Sequence, residues 1–174
     1  MRILIFFAFL IFMVGCVHPI SDKMRATLDP GVSVIGLFES PEVYVGRKVM
    51  LAGSIVQTRN FPDRSEIEVV QKAIDSYGNL DTGDATLGRF IFRHRGYLES
   101  EVYSKGRNII GAGVVVGSQS GKIGDRDYLF AVIEPEELNL FPEYPDTPYY
   151  YDPFYPYYFY GFGYGHHHHR HHYW

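Results

Sequence analysis

Between residues 48 and 133 the chain carries five runs rich in Val, Ile and Phe, each seven to eleven residues long. No stretch between them has the length and 3.6-residue period of a crossover helix. Parallel sheets need such crossovers, so an α/β fold is excluded and an all-β domain is expected. The runs are residues 48–58, 65–74, 89–95, 108–117 and 127–133. Asn60, Pro62 and Asp63 mark a turn after the first, and three glycines and three acids in residues 75–88 mark a long loop after the second. Residues 96–106 read as a polar connection with one helical turn near 98–103. Residues 118–126, with Gly121 and Gly124, read as a hairpin loop, and residues 134–140 as a short exit segment. Gly53 inside the first run predicts a bulge or sharp bend. A curved first strand in a set of five predicts closure into a small five-stranded OB-like β-barrel with one or two short helices, one of them between the third and fourth strands. A small β-sandwich is the alternative. Ahead of the barrel, residues 32–40 read as a short helix or an additional strand.

The second and third runs permit a statement about faces, because alternate strand residues point to opposite sides. Glu66, Glu68, Val70 and Lys72 share one face of the second run, and Arg89, Ile91, Arg93 and Arg95 share one face of the third. Paired strands would set an acidic row beside a basic row. Arg89, Arg93 and Arg95 are therefore candidates for binding an anion such as a lipid phosphate, against the alternative that Glu66 and Glu68 neutralise them on a solvated face. His94 falls on the opposite face with Phe90 and Phe92, which predicts a core or barrel-end residue rather than a ligand.

The N-terminus reads as an address. Met1 and Arg2 are followed by twelve uncharged apolar residues, 3–14, and then by Gly15 and Cys16, the only cysteine. Twelve residues are too few to span a bilayer core, which takes about 20 in a helix, and fit the apolar region of a secretory signal. A small residue followed by cysteine at this point resembles a bacterial lipobox, although position 13 is Met where Leu is usual. That reading makes 1–15 a signal peptide and Cys16 the lipidation site, where acyl chains hold the protein on a membrane. The alternative is an uncleaved anchor helix. By the same resemblance, Val17, where an acidic residue favours inner-membrane retention, implies the outer membrane. Residues 16–31 then read as a lipidated tether and 32–141 as the barrel domain.

Residues 142–174 differ in kind. From 143 onward there are ten Tyr, three Phe and four Pro, with no Val, Ile, Leu or Met to form a core. Low-complexity sequence of this type is expected to be extended. Six of the eight histidines fall here, at His166, His167, His168, His169, His171 and His172. Adjacent neutral imidazoles are candidate ligands for Zn²⁺, Ni²⁺ or Cu²⁺. They would also charge together near their ordinary pKa of ~6.5. The tail would then move from formally −2 toward +4 and could adhere to anionic lipopolysaccharide, while its tyrosine rings suit stacking on envelope glycans.

Composition narrows the function classes. With 16 basic and 20 acidic residues, the chain lacks the basic excess of a nucleic-acid binder. One cysteine excludes an intramolecular disulfide and any Cys-rich zinc module. The carboxylate pairs Glu66 with Glu68 and Glu99 with Glu101 are the only hint of hydrolytic chemistry, and two acids two residues apart meet the spacing by accident. No catalytic residues and no required cofactor are expected.

An ordered series of short motifs resembles a known family. The series runs Tyr44-Val45-Gly46-Arg47-Lys48-Val49, Gly53-Ser54-Ile55, Glu68-Val69-Val70-Gln71, Asp75-Ser76-Tyr77-Gly78, Gly88-Arg89-Phe90 and Gly96-Tyr97-Leu98-Glu99. It continues with Tyr103, Gly106-Arg107, Gly121-Lys122-Ile123-Gly124 and Tyr128. It is similar to the Slp family, outer-membrane lipoproteins named for starvation inducibility. Glu99-Ser100 departs from the family's usual Asp-Pro. The resemblance covers residues 32–133 and Cys16 and leaves the tail outside. It implies a lipid-anchored, non-enzymatic protein of a Gram-negative outer membrane, facing the periplasm, with a structural or stress-related envelope role and no catalytic residues to carry over. A periplasmic protein that binds or senses metal or pH through its histidines is the second reading.

Overall fold

The computed structural model describes residues 18–143. The N-terminal apolar run, Cys16 and the six tail histidines lie outside the described residues. Among the described residues two short helices come first, α1 (Asp22–Arg25) and α2 (Val34–Glu39), followed by a 3-10 helix, η1 (Pro41–Tyr44). Five strands follow: β1 (Lys48–Asn60), β2 (Arg64–Lys72), β3 (Arg89–Arg95), β4 (Asn108–Ile123) and β5 (Arg126–Leu140). They close in the order β1-β2-β3-β5-β4, with β4 returning to β1, so the expected five-stranded barrel forms and the sandwich does not. Among the described strands, only β3 and β5 pair in parallel.

Closure depends on β1 belonging to two ladders. Residues Lys48 to Ser54 pair with β4, and Ala52 to Asn60 pair with β2. Gly53 lies in the overlap, where an added Cβ would sit 1.9 Å from the Val70 carbonyl oxygen. Only glycine lets the two backbones approach so closely. The bulge comes just after it, between Ile55 and Gln57.

Three expectations change. Residues 118–126 are not a loop: β4 continues to Ile123 and turns only at Gly124 and Asp125. The run Ser-Gln-Ser-Gly-Lys has little strand propensity, and its conformation is set by the ladder to β5. Residues 134–140 are also strand, paired back along β4 as far as Ile109. Pro135 is accommodated because the register slips between Ala112 and Gly113, opposite it. No helix separates β3 from β4. There Val102 and Tyr103 both donate to the Glu99 carbonyl, at 3.1 and 2.9 Å, in a single turn. The two short helices instead precede β1, each capped by a serine hydroxyl that accepts a backbone N–H at 3.2 Å: Ser21 from Met24 and Ser33 from Gly36.

The barrel interior is apolar. Leu51, Ile55, Ile67, Val69, Phe90, Phe92, Ile109, Val115 and Ile133 are buried together. Phe90 and Phe92 meet edge to face with centroids 4.8 Å apart. Leu37 of α2 joins this cluster, and Phe38 packs edgewise on Phe90.

Candidate functional site

The outer face of β2 and β3 carries the charge rows expected from alternation. The strands pair antiparallel with Glu66 opposite Arg93 and Val70 opposite Arg89. Arg89 Nη1 donates to Glu68 Oε1 at 2.7 Å, and Arg93 Nε to Glu66 Oε1 at 3.1 Å. Arg95, 85% exposed, bridges to Glu134 at 2.5 Å. All three candidate anion-binding arginines thus face carboxylates of the chain itself.

The two carboxylates of this face are not solvated as expected. Glu66 is 2% and Glu68 4% exposed. Arg64 Nε donates to Glu66 Oε1 at 3.1 Å, and Gln57 Nε2 to Glu68 Oε2 at 2.6 Å. Gln119 of β4 accepts from Arg93 at 2.8 Å and turns its amide toward Glu66. Burial pushes the Glu66 pKa up. Hydrogen bonds from Arg64 and Arg93, with the Arg93 charge and Gln119, outweigh burial and leave it below the usual glutamate range. Gln119 lies in the stretch 118–126 that reads as a loop, so nothing in the sequence marks it. His94 is half-buried opposite Ser65, at the barrel-end position expected for it. Glu99 and Glu101 are exposed, and Tyr97 donates to Glu99 at 2.9 Å. No cluster of three metal-ligating side chains occurs among the described residues.

A second site lies on the opposite flank of β1. Ala52, Ile110 and Ala112 form an apolar outer wall on β1 and β4, and Ile20 and Met24 cover it, 0% and 5% exposed. The segment expected to be a tether is therefore docked from His18 onward. Its apolar residues Ile20, Met24 and Leu28 recur every four positions, the one signal in the sequence that pointed to docking. Polar contacts fix it. The Ser21 N–H donates to Glu137 Oε2 at 2.9 Å, Asn139 donates to the Pro19 carbonyl at 2.8 Å, and the Asp29 N–H donates to the Lys48 carbonyl at 3.0 Å. The Ser21 hydroxyl and N–H hold the Glu137 pKa below its usual range. Downstream of Cys16, only Val17 separates the expected lipid site from this docked segment.

The comparisons with known proteins agree with the motif series. The uncharacterized lipoprotein YeaY of Escherichia coli K12 is 25% identical over 126 residues, 72% of this chain and 65% of that one. The aligned part is thus just under two thirds of that relative's length. The outer membrane protein Slp of the same organism is 22% identical over 131 residues, 74% of this chain and 69% of its own. An uncharacterized protein of Haemophilus influenzae is 28% identical over 145 residues, 80% of this chain and 76% of its own. Among solved structures, a small single-stranded DNA-binding protein from Streptomyces coelicolor superposes with a TM-score of 0.31 and 11% identity, covering 55% of this chain and 94% of that one. That likeness is too loose to bear on function. The family model matches residues 13–168. It takes in Cys16 and most of the tail, and the tail lies outside the motif series. On that match, this chain belongs to the outer membrane lipoprotein Slp family.

Proposed function

We propose that the chain is a lipid-anchored, non-catalytic component of the outer membrane, attached through acyl groups on Cys16, with its barrel on the periplasmic face. The observation that carries this reading is the position of Cys16. It directly follows an apolar run of signal-peptide length and falls inside the family match, which begins at residue 13. The charged groups on the barrel support a structural role, since Glu66, Glu68, Arg89 and Arg93 bond one another. The role so proposed is structural or stress-related. The tail, with its tyrosines and six histidines, extends it by contacting envelope glycans, lipopolysaccharide or divalent Zn, Ni or Cu.

Density-gradient fractionation of a Gram-negative host tests the reading. The wild-type chain is expected in the outer-membrane fraction, and Cys16→Ser is expected to leave it. A wild-type chain recovered in the soluble periplasm contradicts the anchor.

A further inference from the structure

The docked N-terminal segment leaves almost no slack between Cys16 and the barrel. Adjacent Cα atoms are 3.8 Å apart, so Cys16 lies within roughly 8 Å of His18. His18 and Pro19 in turn pack against the turn at residues 75–79. An added Cβ on Gly78 would sit 2.7 Å from both His18 Nε2 and Pro19 Cδ. Gly78 has φ +83°, so only glycine combines this backbone with that contact.

The turn is rigid by its own bonding. The Asp75 carboxylate accepts from the Tyr77 N–H at 2.8 Å, the Asn79 N–H at 2.9 Å and the Asn79 amide at 2.9 Å. The Gly78 N–H donates to the Asp75 carbonyl at 3.0 Å. What the turn presents outward is Tyr77, 69% exposed. A tyrosine ring with an apolar body and a polar tip suits the headgroup level of a bilayer.

We propose that this turn is the membrane-contact surface of the protein. The barrel lies directly on the lipid bilayer with Tyr77 at the interface, rather than swinging on a tether. The proposal rests on the lipid-anchor reading of Cys16. What selects a bilayer as the occupant is the covalent reach: the acyl chains attach two residues before His18, whose ring lies against Gly78.

Tyr97 supplies a matched control. It is 67% exposed but follows the far end of β3, while the Tyr77 turn precedes its near end. Seven residues at ~3.3 Å each set the two ends of β3 roughly 20 Å apart along the strand. The test uses the full-length chain extracted from membranes, with Trp174→Phe removing the only tryptophan and either Tyr77→Trp or Tyr97→Trp added. Each protein is reconstituted in phosphatidylethanolamine–phosphatidylglycerol vesicles containing lipids brominated near the headgroup. In the Tyr77→Trp protein, bromolipid is expected to quench roughly half of the emission and the spectrum to shift to the blue, as for an interfacial aromatic. The Tyr97→Trp protein is expected to emit as in water. Inserting about 20 Gly/Ser residues between Val17 and His18, a coil of roughly 25 Å, is expected to abolish the difference. An acylated protein in which the two variants quench equally overturns the proposal alone. An intact mass without acyl groups overturns the anchor reading, and this proposal with it.

Discussion

Glu66 and Arg93 face each other across the β2–β3 ladder, Nε to Oε1 at 3.1 Å, with the carboxylate 2% exposed. A buried charge is tolerable only when hydrogen-bonded and paired. Here Arg64 and Gln119 complete what Arg93 begins. Arg93→Met therefore leaves the carboxylate short of a donor and is expected to cost on the order of 2 kcal/mol. The double variant Glu66→Met with Arg93→Met is expected to cost less than the sum of the singles. Urea unfolding of a soluble form starting at Val17 measures both. Additive costs would mean that the pair is not coupled.

The pKa directions set the acid behaviour. Glu66 and Glu137 titrate below their usual values in the folded barrel, as do Asp29, held by Arg47, and Asp75, held by its own turn. A depressed folded pKa contributes stability above the unfolded value and loses it as pH falls through the folded one. The barrel is thus expected to keep its stability down to the ordinary carboxylate range, about pH 4, and to lose it progressively below. Glu66→Gln is expected to be less stable near neutrality and to show a shallower acid loss. Thermal melts across pH 2–7 would read this, and stability rising on acidification would contradict it.

Docking of the N-terminal segment rests on Ile20, which is 0% exposed against Ala52, Ile110 and Ala112. Ile20→Ala is expected to cost about 2–5 kcal/mol in local docking. Hydrogen exchange of residues 18–29 should accelerate while the barrel strands stay protected. Unchanged exchange in that segment would show that it is held by its polar contacts alone.

The barrel was legible because its strands announce themselves by alternation. Arg89-Phe90-Ile91-Phe92-Arg93 reads as charge out and aromatic in, and the structure has Phe90 and Phe92 fully buried. The second half of the β4–β5 hairpin was not legible. Ser118 to Lys122 holds its place through backbone pairing to a partner strand, which leaves no side-chain period to read. Gln119, which helps bury Glu66, sits in that stretch. The docked N-terminal segment is illegible for another reason. Ile20, Met24 and Leu28 are three apolar residues among polar ones, and their meaning comes from an outer wall of β1 and β4 that no local pattern reveals.

The tail predicts its own chemistry. Imidazoles at His166 to His169, His171 and His172 are expected to bind Zn²⁺ and Ni²⁺ as neutral ligands and to release them as they protonate below about pH 6.5. Calorimetric titration of soluble forms with and without residues 144–174 checks this. Binding that survives the truncation would place the metal elsewhere.

Attachment through Cys16 decides the rest. The measurement is the intact mass of the chain extracted from membranes of a Gram-negative host, beside Cys16→Ser. The predicted result is residues 16–174 plus acyl groups, absent from the variant. An unmodified chain, or one that retains residues 1–15, would contradict the anchor and leave the family relationship as a statement about fold.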